Sequence, residues 1–228
     1  MASALILEMI RDNVLTVGND AGGNLLISFG GDAAPKDMPS HKRQFYDMLR
    51  SAAGDDAVLQ HREFSRWASR NAETVSDWVK AVDGEGHREL CEDRYIEADG
   101  LSPEGKIQAR NAIGFKKYLE DFTIINERKS VEVALWRDYM VFASLYGIAR
   151  KVAKELRDID PKVFEEVVGY DYPTMSNVLV FSDRMGTGMM SAVNSFAQTA
   201  SSVGGHGGFS SIGGGGGFHG GGFGGGAR

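Results

Sequence analysis

From Ser201 to its end the chain reads SSVGGHGGFSSIGGGGGFHGGGFGGGAR, and this segment limits how much of it can fold. Fifteen of the thirty glycines fall there, with Phe209, Phe218 and Phe223 spaced among them and Arg228 as the single charged side chain. Glycine loses the most backbone entropy on ordering and brings no side chain to bury. The tail, residues 201–228, is therefore expected to be disordered on its own, its phenylalanines at most weak stickers for self-association. That leaves roughly 200 residues, room for one domain or two small ones.

Composition narrows the partners. The formal net charge is −6, and −7 without the tail's arginine, which argues against a general binder of nucleic acid or anionic lipid. Cys91 is the only cysteine, so no disulfide can form within the chain and a reducing compartment is expected. It sits among acidic residues in RELCEDRY, surroundings that disfavour a nucleophilic thiolate, and reads as a structural cysteine. The opening ALILEMI is too short for a secretory signal. The best candidate for a membrane span, residues 131–148, is interrupted by Glu132, Arg137 and Asp138. The chain as given reads as soluble.

Hydrophobic periodicity predicts a mainly α fold with short β-hairpins. Residues 1–36 read as a helix followed by a hairpin around Gly18–Gly23, a partial winged-helix-like unit. Residues 40–112 read as a second winged-helix-like unit. In it Ser40 caps a helix with Phe45, Met48 and Leu49 on one face, a long helical pattern follows, and Gly84 and Gly86 interrupt that pattern. Arg94–Ala98 form a strand, and Ser102 with Pro103 starts the next helix, because Ser is a good N-cap and Pro suits the first helical position. Residues 113–170 read as a helical region with a long C-terminal helical pair. One of its helices is capped by Ser130 after a connection at 123–129 and runs over 131–157, and a short helix follows Asp160-Pro161. Residues 171–200 read as a poorly ordered extension, with Met175–Phe181 a strand or an adhering segment.

Two runs carry a family resemblance: LSPEGKIQARNAIGFKKYLEDF from Leu101 and EVALWRDYMVFASLYGIARKVAKEL from Glu132. Together with the terminal Gly/Phe/Ser-rich tail they resemble the C-terminal region of the DUF2207, or YciQ-like, family of predicted bacterial membrane proteins. The resemblance is most specific from Leu101 to Leu156. It implies a parent with extracytoplasmic and transmembrane parts ahead of this region. The chain would then be a segment on the cytoplasmic face of the bacterial cell membrane, reaching the membrane through parts not present here. It implies no reaction and no catalytic residues.

The residues themselves offer little chemistry. His41, His61 and His87 are widely spaced, His206 and His219 lie in the tail, and no HxxxH, HExxH or CxxC spacing exists, so no metal and no cofactor is expected. Glu89, Glu92 and Asp93 read as a solvated acidic face. Neither Gly213–Gly217 nor Gly84-Glu85-Gly86 has the context of a phosphate loop. The helix over 73–93, the candidate DNA-reading element, is acidic, so nucleic acid is an unlikely partner. Lys116-Lys117 and Arg150-Lys151-Lys154 are small basic clusters with acidic neighbours at i+4.

Trp136, Tyr139, Phe142 and Tyr146 recur at helical spacing. Such a stripe is either core or a face for an unidentified protein partner or a second copy. The expectation is a non-enzymatic protein–protein interaction or scaffolding module, with a winged-helix DNA-binding regulatory domain as the alternative.

Overall fold

The computed structural model describes residues 1–31, 33–121 and 135–203. The tail from residue 204, the connection at 123–129 and the Ser130 cap lie outside the described residues. The chain opens with helix α1 (Ala2–Arg11), whose Ile6, Leu7, Met9 and Ile10 are buried. Strands β1 (Leu15–Asn19) and β2 (Leu25–Phe29) follow as an antiparallel hairpin. Its turn is held by Asp20, whose carboxylate accepts from the backbone N–H groups of Gly22 and Asn24, both at 2.8 Å. Then come α2 (Ser40–Ala53), a 3₁₀ turn at Gly54–Asp56, β3 (Val58–Leu59), α3 (His61–Arg70) and α4 (Ala72–Glu92). The short pair β4 (Ile96–Glu97) and β5 (Gly100–Leu101) leads into α5 (Pro103–Glu120). Helices α6 (Trp136–Leu145), α7 (Ala149–Ile159), α8 (Pro161–Val168) and α9 (Tyr172–Val203) complete the described order.

The mainly helical architecture with short hairpins matches the sequence expectation. The winged-helix reading does not carry through. In a winged helix the strand between the first two helices would join that unit's own hairpin. Here β3 pairs with β2 of the preceding hairpin, in the order β1-β2-β3, and β4–β5 stand as a separate two-stranded sheet. Residues 1–36 and 40–112 thus share a sheet, and Ile27 opposite Leu59 is fully buried at the shared seam.

The largest departure is α9. Where the sequence reading placed a poorly ordered extension over 171–200, a helix from Tyr172 packs against α1, α3, α4 and α7. Met175, Val178, Leu179, Met185, Met189 and Ala192 face the core at the helical period. Its small residues are contact points: a Cβ on Gly188 would stand 2.7 Å from Ser65 Oγ of α3, and one on Gly186 3.4 Å from Ser3 Oγ of α1. Glycines and serines that read as flexible chain instead let two helices approach α9 closely, and burial of the Met/Val/Leu row offsets their weak helix propensity.

Three local differences have equally plain causes. The expected continuous helix over 131–157 is two helices, because Gly147 adopts φ +74° between α6 and α7. Helix α4 runs straight through Gly84 and Gly86, since two glycines cost only about 1 kcal/mol each in a helix interior. Helix α2 begins at Ser40 itself, after Pro39, with no side-chain cap. By contrast, Ser102 caps α5 as expected, its Oγ accepting from Gly105 N at 2.9 Å with Pro103 in the first turn. Asp160 caps α8 in the same way through Lys162 and Val163.

An ionic cluster ties the beginning of the chain to its middle. Arg11 Nη1 donates to Asp138 Oδ1 of α6 at 2.6 Å, and Lys42 Nζ of α2 meets Glu8 Oε1 at 2.8 Å.

Candidate interaction surface

The second half of α4, the β4–β5 pair and the first half of α5 form a helix–hairpin–helix arm. In α4 the buried residues are Val75, Ser76 and Trp78, all in its first turns, and from Asp83 onward none is fully buried. In α5 the buried positions are Gly105 at the root of the hairpin and Leu119 near the far end. The two helices are joined through β4 and β5 and pack little along their lengths.

The joint itself is tightly built. Tyr95 N donates to Leu90 O at 2.8 Å, Ser102 N donates to Tyr95 O at 3.1 Å, and Gly105 lies against the Tyr95 backbone. The joint is therefore held by its own main chain while the flanks stay open.

Those flanks carry large apolar side chains in solvent. Leu90 and Leu101 are exposed, and Ile107 and Ile113 are 53% and 58% exposed. An open groove of about 650 Å³ runs along α4, lined among others by Val79, Val82, Gly84, Gly86, His87 and Leu90.

The aromatic stripe splits between core and surface. Trp136, at 2% exposure, and Tyr139 are buried. Phe142 is 43% exposed and Tyr146 half-buried, its hydroxyl donating to Ala112 O at 3.2 Å. Phe115 of α5 fills the space between: its ring centroid lies 5.3 Å from that of Phe142, 6.0 Å from Tyr139 and 6.4 Å from Tyr146. Most of the stripe is thus spent inside the chain, holding α5 on α6. The edge of Phe142, with Leu145 in the same helix, is left to solvent.

One pairing escaped the sequence reading. Cys91 is exposed rather than structural, and its Sγ lies 3.6 Å from His87 Nδ1, one helical turn earlier. The i, i+4 spacing of His87 and Cys91, which puts both on one side of a helix, was the available signal. Among the described residues no group of three or more His, Cys, Asp or Glu side chains is arranged to hold a metal ion. His41 pairs with Glu85 at 3.4 Å, while His206 and His219 lie outside the described residues. The basic clusters are partly neutralised: Lys116 by Glu120 at 3.8 Å, Lys151 by Glu155 at 3.8 Å and Arg150 by Asp183 at 3.6 Å.

Glu155 is the one acid held off its ordinary behaviour near this surface. Burial in α7 pushes its carboxyl upward, the Lys151 ammonium only partly offsets that, and Oε2 has no hydrogen-bond partner. Lys151 also donates to Glu120 O, so the carboxylate sits where α7 meets the end of α5.

Residues 94–156 match the family model described as predicted membrane protein (DUF2207) C-terminal domain. No curated protein and no solved structure matches the chain. The matched span begins just before β4 and runs through α5, α6 and most of α7. It therefore contains the hairpin, the whole Phe115 aromatic cluster and the basic flank of the arm. Among the described residues no helix is long and apolar enough to cross a membrane.

Proposed function

We propose, from the premise that residues 94–156 are a C-terminal domain of the DUF2207 family of predicted membrane proteins, that this part of the chain is a non-enzymatic protein–protein interaction or scaffolding module. It works at the cytoplasmic face of the membrane that holds its parent. One observation carries the reading. Of the nine exposed large apolar side chains among the described residues, six (Leu101, Ile107, Ile113, Leu135, Phe142 and Leu145) lie within the matched span. Apolar side chains gathered on one module, beside charged neighbours, are what a protein partner covers.

The test is site-specific photocrosslinking in the source cells, with the reactive group at Ile107 or Ile113 and, as control, at Met190 on α9, which is also exposed. The reading expects protein adducts at 107 and 113 and few at 190. Equal labelling at all three, or none at any, overturns it. Protease protection in right-side-out and inverted membrane vesicles tests the cytoplasmic placement, which requires cleavage in the inverted vesicles alone.

The alternative of a nucleic-acid-binding domain draws support from α5, where Lys106, Arg110, Lys116 and Lys117 occur with no acid between Gly105 and Leu119. Against it stands α4, whose 83–93 stretch carries five acids and one arginine. A gel shift at low salt that weakens steeply as salt rises would favour this alternative over the protein-binding reading.

A further inference from the structure

The two flanks of the arm carry opposite charge in matching rows. On α4, Glu85, Glu89 and Glu92 recur at i, i+4 and i+7, which places them on one side of the helix. On α5, Lys106, Arg110, Ile113 and Lys117 recur at i, i+4, i+7 and i+11, again on one side, with an exposed isoleucine in the row. Among the described residues no ion pair joins the two rows within the chain. The α4 charges meet His41 and Arg88, and the α5 ion pair, Lys116–Glu120, lies within α5 itself.

We infer that the occupant of this arm is a second copy of the chain, packed about a two-fold axis. The acidic row of α4 in each copy lies on the basic row of α5 in the other, covering Ile113 within the basic row and Ile107 beside it. The inference rests on the interaction reading above and names its partner. A two-fold interface must be self-complementary, each patch meeting the other patch of its partner. A helix pair with one acidic and one basic flank meets that condition twice over in one dimer. Charge rows flanking apolar positions are also how paired helices select their partners. An acidic foreign ligand would answer only α5 and a basic one only α4, whereas a second copy answers both.

The experiment uses the full chain and two charge-reversed variants, Lys106→Glu/Arg110→Glu and Glu89→Lys/Glu92→Lys. All four positions are exposed, and unaltered thermal unfolding of each variant confirms that it is folded. Sedimentation velocity at low salt is expected to show a dimer for the natural chain, weakened by added salt as surface charge pairs are screened. Each variant alone is expected to dissociate at least tenfold more readily. A mixture of the two is expected to regain the dimer, because the reversed rows complement each other at both contacts.

A natural chain that stays monomeric at high micromolar concentration overturns the inference. So do variants that dimerise as well as the natural chain, or a mixture that stays monomeric. The photocrosslinks separate this failure from that of the interaction reading. Adducts at Ile107 to a different protein, with a monomeric chain, sink the second copy and leave the interaction module standing. A monomer with no adduct at either position sinks both.

Discussion

Gly105 packs its bare Cα against the backbone of Tyr95, so closely that a Cβ would stand 2.9 Å from the Tyr95 carbonyl carbon and nearer still to its oxygen. The obstacle is main chain, which cannot swing aside as a side-chain tip can. Gly105→Ala should therefore cost about 2–3 kcal/mol, at the upper end for overpacking. Urea unfolding checks this, and a midpoint shared with the natural chain would mean that the hairpin root is looser than described.

Phe115 is the hub of the aromatic cluster, with Tyr118, Tyr139, Phe142 and Tyr146 around it. Phe115→Ala should lose about 2 kcal/mol or more, since the cavity would open between α5 and α6. Phe142→Ala, at the exposed edge, should lose about 1 kcal/mol or less. Thermal unfolding of both variants ranks them, and the reverse order would move the hub to α6.

Glu155 gives a pH prediction with a definite sign. Its folded carboxyl is raised by burial, so the folded state resists ionisation more than the unfolded chain does. The penalty is absent below the ordinary glutamate range, where both states are protonated. It grows as pH rises through that range to the raised folded value and is complete above it. Glu155→Gln should therefore stabilise the chain at neutral pH, a gain that fades in acid. Denaturation midpoints from pH 4 to 7 test it, and a gain independent of pH would show that charge is not the cause.

Gly84 and Gly86 lie in helix interior with nothing within 4 Å of where a Cβ would stand. Each Gly→Ala change should raise stability by about 0.5–1 kcal/mol, because alanine loses less backbone entropy on forming helix. Calorimetry of the double variant measures the sum. A loss of stability instead would mean that the groove along α4 closes on these positions.

The candidate surface was legible in pieces. The charge rows of α4 and α5 stand in the sequence, as do the aromatic spacing of Trp136 to Tyr146 and the Ser102-Pro103 helix start. Spacing along one helix says which residues share a side, but not whether that side meets a neighbour. Trp136 and Tyr139 went inside because α5 returns Phe115 against them. Ile107 and Ile113 stayed outside because α4 and α5 splay from the β4–β5 joint. Cys91 read as structural from its neighbours in sequence, yet it is exposed, since the half of α4 that carries it leaves the core.

By itself, the order of residues determined what local physics controls. The 3.6-residue periodicity, the Ser102 and Asp160 caps, and the hairpin around Asp20 each depend on contacts a few residues apart. Tertiary structure decided the rest. Gly186 and Gly188 became close helix contacts because Ser3 and Ser65 lie far away in sequence and near in space. β3 joined the first hairpin rather than the second because Leu59 could bury against Ile27 there. A helix as weak in propensity as α9 forms because α1, α3, α4 and α7 together cover its apolar row. No window of its own sequence contains that burial energy.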